Sequence, residues 1–362
     1  RGGEQLAICG GGELKVFDLL TNTLSAAVTL PLTNAPACID FLDGYGLLLE
    51  ADSVRCYFSA LEDFTDFDAL DFFARSQTSD NFVAMGVLRD RVWLWGSEST
   101  EIYYDSGDAD TPFLPYPGAI INEGIVGPDA WETDGVAMYW LSQSTQGQGY
   151  MLRGVEGQAQ PISTDAIEFQ VAQATTLADT EALCVVQEGH TFVAWTLPSA
   201  GGCGRTLVFD TDEQQWHERA SWDGTLGIFF RWRVRGICST AQGLICGDYS
   251  TAEIYLLSLD DFTENGALIR RVRRAPYLSD EPVYGFLDQI EVLAQVGVGL
   301  TIGQGQTPVL LGRVSRNAGM TWAPWVTAPL GAMGEYQTRA VFRRMGRVRL
   351  DRFVFELAVT DP

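Results

Sequence analysis

Residues 90–104 read Asp90-Arg-Val-Trp-Leu-Trp-Gly-Ser-Glu-Ser-Thr-Glu-Ile-Tyr-Tyr104. In this unit a turn precedes an apolar strand, a polar loop follows, and a second strand rich in β-branched and aromatic side chains closes it. The unit recurs at intervals of 41 to 54 residues, with turns at Gly3, Gly44, Asp90, Gly135, Gly189 and Gly243. β-Hairpin repeats of this period are typical of propeller blades, which are covered on both faces and therefore tolerate continuously apolar strands.

The repeat predicts an all-β protein with a β-propeller of about six blades over residues 1–275. The period stops there, and we expect residues 276–362 to form a smaller β-rich domain packed on the propeller, with strands within 285–300, 308–315 and 337–359. Asp165 is expected to cap a short helix that follows it, with Glu168 at the capping-box position. Two alternatives remain open at this point: a β-sandwich with coincidental spacing, and a ring of blades that does not close within the chain.

The basic residues exclude several enzyme classes. The chain has 23 Arg and one Lys, and Lys15 is followed by Val16, so there is no Walker A motif. The two histidines, His190 and His217, have no convincing nucleophile partner, and no Gly-x-Ser-x-Gly elbow is present. The sequence therefore predicts no enzyme, with no catalytic, metal-binding or cofactor-binding residue and no cofactor.

Neither the clustered acidic residues nor the cysteines indicate a functional site. Asp63, Asp66 and Asp68 crowd one stretch, and a glycosidase would need two such carboxylates flanking a cleft. We interpret them as a solvated acidic loop. The seven cysteines are widely spaced without a Cys-x-x-Cys motif, and we expect all of them to be reduced. The longest uncharged run, residues 293–312, contains Gln, Pro and Gly, so no membrane span is predicted.

Charge is distributed unevenly along the chain. Residues 1–200 contain 7 basic and 29 acidic residues, a net charge of −22, whereas residues 201–362 contain 17 and 18, a net charge of −1. An acidic surface of this kind does not bind nucleic acid by neutralising phosphates. Two arginine clusters stand out in the second half, and guanidinium groups pair with carboxylates bidentately. The sequence therefore predicts a candidate assembly interface that comprises Arg270, Arg271, Arg273, Arg274, Arg339, Arg343, Arg344, Arg347 and Arg349.

Several segments together resemble one family. They are Ser59 to Phe72, Trp93 to Tyr104, Gln187 to Phe192, Trp216 to Arg219, Ile269 to Pro276, and Gly334 through Arg347. Their order and content resemble the packaged-DNA stabilisation proteins, the tail accessory factors of P22-like short-tailed phages. Members of that family carry additional N-terminal sequence, and this chain begins with Arg1, so we expect it to be part of a longer product.

The resemblance implies a structural protein of the virion tail, assembled in the host cytoplasm. It implies a homohexameric nozzle below the portal-adaptor protein, with tail needle or tailspike proteins as further neighbours. Such a nozzle helps to retain packaged DNA and conducts it during ejection without binding it specifically. The alternative function is a glycan-binding or glycan-degrading propeller, a sialidase-like tail enzyme, which would need an aromatic-lined cleft with convergent acids.

Overall fold

The computed structural model of the protein describes residues 4–108, 110–279 and 281–361, so the turn predicted at Gly3 lies outside the described residues. The chain divides into two compact units. The first comprises Arg1–Ala220 and Phe230–Leu256, and the second comprises Ser221–Phe229 and Leu257–Pro362. The boundary predicted at residue 275 stays a prediction.

Six antiparallel sheets follow one another along the described part of residues 5–257, each built from strands that are consecutive in sequence. The strands of the six sheets are β1 (Gln5–Gly10), β2 (Glu13–Asp18) and β3 (Thr23–Leu24); β4 (Pro36–Leu42), β5 (Tyr45–Glu50), β6 (Arg55–Phe58) and β7 (Phe72–Ala74); β8 (Phe82–Leu88), β9 (Arg91–Gly96), β10 (Thr100–Asp105) and β11 (Phe113–Ile121); β12 (Trp131–Thr133), β13 (Met138–Gln143), β14 (Gly149–Val155) and β15 (Gln158–Pro161); β16 (Glu181–Gln187), β17 (His190–Leu197), β18 (Arg205–Asp210), β19 (Gln215–Asp223) and β20 (Ile228–Arg231); β21 (Val234–Thr240), β22 (Gly243–Asp248) and β23 (Ile254–Leu257). The predicted series of six hairpin-based units is confirmed by these sheets.

Further strands form smaller sheets in the rest of the chain. They are β24 (Thr263–Glu264), β25 (Ala267–Leu268), β26 (Arg271–Arg274), β27 (Tyr284–Val292), β28 (Val309–Ser315), β29 (Val326–Pro329), β30 (Ala340–Arg349) and β31 (Val354–Val359). The order β26-β31-β28-β29 makes one sheet, and β24 with β25 and β27 with β30 make two-stranded ribbons. The α-helix found among the described residues is α1 (Asp165–Val171), whose N-cap is Thr164, one residue before the predicted cap. 3-10 turns occupy Ala200–Gly202 and Leu350–Arg352. The all-β class is confirmed.

Two-residue turns with positive φ close several of the hairpins. Asp43 and Gly44 have φ of 49° and 94°, and Glu188 and Gly189 have φ of 51° and 83°. Two consecutive residues in the left-handed region are typical of the type I′ turn, whose twist matches that of the flanking strands. The glycine in the second position adopts this conformation without a steric penalty. These turns explain why Gly44 and Gly189 mark the start of repeated units.

Tryptophan side chains fill the space between successive sheets of the first unit. Trp93 and Trp95 on β9 lie with ring centroids 6.1 and 6.0 Å from that of Trp140 on β13, and all three are at most 2% exposed. The Trp140 indole N–H donates to the Gly124 carbonyl oxygen at 3.1 Å, so its polar atom is not left unpaired. A Cβ atom on Gly154 would lie only 2.9 Å from the Trp93 ring, which shows how closely the sheets approach. The tryptophans of these repeats are therefore core residues, because each buries a large apolar surface.

A buried ion network joins the second and third sheets. Arg75, which follows β7, has a fully buried side chain whose Nε donates to Glu101 Oε1 at 3.1 Å. Its Nη1 atom lies 3.1 Å from Asp80 Oδ1. Its Nη2 atom donates to the Ser99 carbonyl oxygen at 2.9 Å. Glu101 in turn accepts a hydrogen bond from the Tyr103 hydroxyl at 2.9 Å.

The protonation of this network is set by its hydrogen bonds. Burial alone would raise the pKa of the Glu101 carboxyl, but hydrogen bonds from Thr78 and Tyr103 outweigh it and leave the pKa lowered. Glu101 belongs to the sequence stretch quoted at the outset. The start of the second strand in that stretch therefore anchors one sheet to the next.

The second unit has its own core. Phe342, Phe353 and Phe355 are buried together, and Leu287 and Ile290 on β27 pack against them. Among the described residues, no helix has the length and apolar character needed to cross a membrane.

Candidate functional site

The structure separates the predicted interface arginines into two groups within the second unit. Arg270, Arg271, Arg273 and Arg274 lie on or next to β26, an edge strand that is exposed along its length. Arg339, Arg343, Arg344, Arg347 and Arg349 lie on or next to β30. The two groups have different surroundings, and the difference decides what each can do.

Arginines of the first group interleave with tryptophans. The Arg270 guanidinium carbon lies 4.5 Å from the Trp222 ring centroid and 4.7 Å from that of Trp325. Arg313 lies 4.4 Å from Trp325 and 4.7 Å from Trp322. Arg274 completes the series at 4.9 Å from Trp322. We call these six residues the tryptophan–arginine stack; such cation–π contacts hold the guanidinium planes in fixed orientations.

A buried carboxylate neutralises part of the charge of the stack. Glu356 on β31 is 1% exposed, and its Oε2 atom accepts from Arg274 Nη2 at 2.8 Å. Its Oε1 atom accepts from Arg313 Nε at 2.6 Å. Burial, and then the nearby charge of Arg313, lower the pKa of Arg270. Arg270 and Arg274 thus have intrachain roles that sequence reasoning missed, because residues 222, 313 and 322–325 are distant from residue 270 in the chain.

A tight turn places Trp322 in the stack. Ser315 to Trp322 resembles the Asp-box, with Asn317 at the position that Asp usually occupies. Asn317 Oδ1 accepts from the Thr321 backbone N–H at 2.9 Å, and Ser315 Oγ accepts from the Gly319 N–H at 2.8 Å. An amide oxygen therefore performs the accepting role of the carboxylate, and the turn is a folding element that orients the tryptophan.

The second group lies on the two-stranded ribbon of β27 and β30. Tyr284 pairs in register with Arg349, and Phe286 pairs with Arg347, so these four side chains share one face. Phe286 is 77% exposed, and the Arg347 guanidinium carbon lies 4.3 Å from the Tyr284 ring centroid. We call this face, which also carries Arg343, the ribbon face. Exposed aromatic and arginine side chains of this kind are enriched in the energetic centres of protein interfaces.

Ion pairing on the ribbon is incomplete. Arg339 Nε donates to Glu291 Oε1 at 2.7 Å. Arg349 Nε donates to Asp351 Oδ1 at 2.8 Å. The side chains of Arg343 and Arg344 are exposed and form neither a hydrogen bond nor an ion pair with any residue in the described ranges. The ribbon therefore presents cationic groups that are free to meet a partner.

The acidic loop of the first unit is held by local turn contacts. We define it as residues 61–71; Glu62, Asp66 and Asp68 are exposed on it. Asp63 Oδ1 instead accepts from the Thr65 backbone N–H at 2.9 Å, which is a turn contact. Burial raises the pKa of Asp71, and the charges of Asp68 and Asp66 raise it further.

One group of side chains has the composition of a metal site. His190, Asp210 and Asp212 place one ligand atom each within 4.8 Å of one another. His190 Nδ1 lies 2.9 Å from Asp210 Oδ2, and Asp212 Oδ2 accepts from the Thr191 backbone N–H at 2.8 Å. Asp210 Oδ1 accepts hydrogen bonds from the backbone N–H groups of Asp212 and Glu213. The carboxylates are thus engaged in joining the β16–β17 and β18–β19 turns.

Comparison with protein families gives a direct result. Residues 2–261 match the family described as bacteriophage P22 Gp10, β-propeller. The chain belongs to this family. It is therefore a stabilisation protein of the phage virion, an accessory component of the tail, and the six successive sheets along residues 5–257 form the family's β-propeller. The family predicted from the sequence is confirmed.

Two solved structures are also similar in part. One is the extracellular domain of a hybrid two-component system protein from B. thetaiotaomicron, with a TM-score of 0.40 and 12% identity over 71% of this chain and 32% of that one. The other is a nidogen/laminin complex, with a TM-score of 0.42 and 12% identity over 69% of this chain and 87% of that one. This chain thus spans about a third of the length of the first. No curated protein sequence matches.

Proposed function

We propose that this tail accessory protein is a structural nozzle that assembles as a homohexamer below the portal-adaptor protein. In this position it helps to retain packaged DNA and forms part of the ejection channel, with tail needle or tailspike proteins as further neighbours. The observation that carries the proposal is family membership over residues 2–261 of a chain whose first 200 residues have a net charge of −22. A like-charged wall repels DNA and lets it slide without phosphate contacts.

The arginines of the second unit are the proposed assembly interface. Among them, Arg343, Arg344 and Arg347 are exposed on or beside the ribbon face, whereas Arg270 and Arg274 are held within the tryptophan–arginine stack. A head-to-tail ring needs two different patches on each subunit, and a basic patch and an acidic patch meet that need. We propose that Arg271 and Arg273 on the exposed edge strand contribute in the same way.

Catalysis forms no part of this function. Trp93, Trp95 and Trp140 of the propeller repeats are buried, and Asp63 of the acidic loop is engaged in a turn contact. Both observations disfavour the glycan-degrading alternative, which would need an aromatic-lined cleft with convergent acids. Incubation of the purified protein with sialosides and host surface glycans should release no sugar. Detectable hydrolysis that Asp66→Asn abolishes would support the alternative.

Electron microscopy of negatively stained particles, with native mass measurement, tests the proposal. We expect a six-fold ring, formed by the chain alone or with the portal-adaptor protein, and no retention of duplex DNA at physiological salt. A monomer that neither forms a ring nor binds the adaptor at any accessible concentration would contradict it.

A further inference from the structure

The acidic loop has a second property besides its charge. Leu61 and Leu70, at its two ends, are 61% and 83% exposed. They flank Glu62, Asp66 and Asp68, which are exposed as well. Residues 61–71 contain no Lys or Arg, and in the described ranges none of these three carboxylates forms a salt bridge. The loop therefore presents apolar and anionic groups together, with no basic residue in its own sequence.

The ribbon face presents the opposite combination. Tyr284 and Phe286 are 59% and 77% exposed, and Arg343 and Arg347 project beside them. Two nearby carboxylates are already paired, Glu291 with Arg339 and Asp351 with Arg349. Asp288 is exposed at the bulge in β27. Exposed large apolar side chains among charges are a common mark of interaction sites.

We infer that the acidic loop of one copy of the chain docks on the ribbon face of a neighbouring copy. In this contact Leu61 and Leu70 cover Tyr284 and Phe286, while the loop carboxylates pair with Arg343 and Arg347. The inference rests on the proposed head-to-tail ring and names the two surfaces that would build it. Charge complementarity indicates a second copy of the chain as the partner, because the same chain carries both the anionic, apolar loop and the cationic, aromatic ribbon face.

The single lysine of the chain allows a site-specific cross-linking experiment. Because Lys15 is its one lysine, an amine introduced by Arg347→Lys is a nearly unique target for zero-length carbodiimide coupling to carboxylates. Light and isotopically heavy chains are mixed, assembled, coupled and analysed by peptide mass spectrometry. We expect position 347 of one copy to be joined to residues 62–71 of the other, and Asp66→Asn with Asp68→Asn to remove that product.

Arg339→Lys is the matched control. Its amine should couple to Glu291 within one chain, giving no mixed light–heavy product, because the native guanidinium already pairs with that carboxylate. Rings that form normally but whose position 347 couples to another segment would overturn the inference and leave the proposed nozzle intact. Absence of rings from the unaltered chain would overturn both.

A second arm tests the apolar half of the contact. Phe286→Ala and Leu70→Ala change exposed side chains, so the melting temperature should not move. Each should raise the concentration needed for half-assembly roughly ten-fold, as truncation of an interface anchor does. The double variant should raise this concentration by less than the product of the two separate fold-changes, because the effects of substituting two residues in contact are not additive. Independent effects, or none, would overturn the docking arrangement.

Discussion

Arginine serves opposite purposes in the two units. In the first, the Arg75 side chain is completely buried between two carboxylates and a carbonyl oxygen, and it joins successive sheets. In the second, Arg343 and Arg344 are exposed without an ion-pair partner in the described ranges. Arg270 and Arg274 are an intermediate case, because they are partly exposed and stacked on tryptophan rings. Desolvation makes an unpaired buried charge costly, whereas a solvated guanidinium costs little until a partner covers it. Arg75 in the propeller thus joins two sheets, while Arg343 and Arg344 on the ribbon are available for assembly.

The largest effect should come from breaking the buried network. Glu101→Gln leaves Arg75 buried beside one carboxylate, and we expect the free energy of unfolding to fall by about 3 kcal/mol. Urea unfolding followed by tryptophan fluorescence measures it. Glu98→Gln, three residues earlier and exposed, should change nothing measurable.

The same network predicts acid sensitivity. The pKa of Glu101 is lowered from its ordinary value of 4.5 in the folded state, so its contribution is complete above that value and is lost as the pH falls through the folded pKa. The stability difference between wild type and Glu101→Gln should therefore shrink below about pH 4.5. A difference that stays constant down to pH 2 would show that the charge of Glu101 is irrelevant.

Close approach of the sheets gives the next prediction. Gly154→Ala places a methyl group 2.9 Å from the Trp93 ring and 2.7 Å from that of Trp140, both of which are fixed by packing. Overpacking of this kind should destabilise the first unit by about 2 kcal/mol. Gly10→Ala adds a methyl group with no heavy atom within 4 Å and should be neutral. Thermal unfolding of the two variants compares them directly.

The stacked arginines should show an intermediate effect. Arg270→Ala removes two cation–π contacts and leaves Trp222 and Trp325 without the group between them, which should cost about 1 kcal/mol. Arg273→Ala on the same exposed strand is the control. Equal stability of the two variants would mean that the stack does not contribute to the fold, and the contrast between stacked and free arginines would disappear.

The smallest effect on stability is expected on the ribbon. Arg343→Ala with Arg344→Ala should change the free energy of unfolding by less than about 0.5 kcal/mol, because surface substitutions away from a packed contact rarely do more. The same double variant should weaken ring formation, measured by analytical ultracentrifugation. If the double variant lost much of its stability but assembled normally, Arg343 and Arg344 would be residues that stabilise the fold and not residues of the assembly interface.

The sequence by itself determined the class, the repeat and the family. Alternating turns and apolar strands set the hairpins locally, since two positive-φ residues such as Asp43 and Gly44 close a hairpin whatever lies around them. The burial of Trp93 and Trp140 followed from the same pattern, because a strand with no polar face must be covered on both sides.

Tertiary structure alone decided what each arginine does. Arg270 and Arg343 look alike in sequence, as members of two basic clusters. Arg270 lies between Trp222 and Trp325 because strands distant in the chain come together, whereas no aromatic ring in the described part of the chain stacks on Arg343. Local propensity contains no information about contacts between residues so far apart in sequence. The partners that separate a structural arginine from a free one are therefore set only when the sheets have packed.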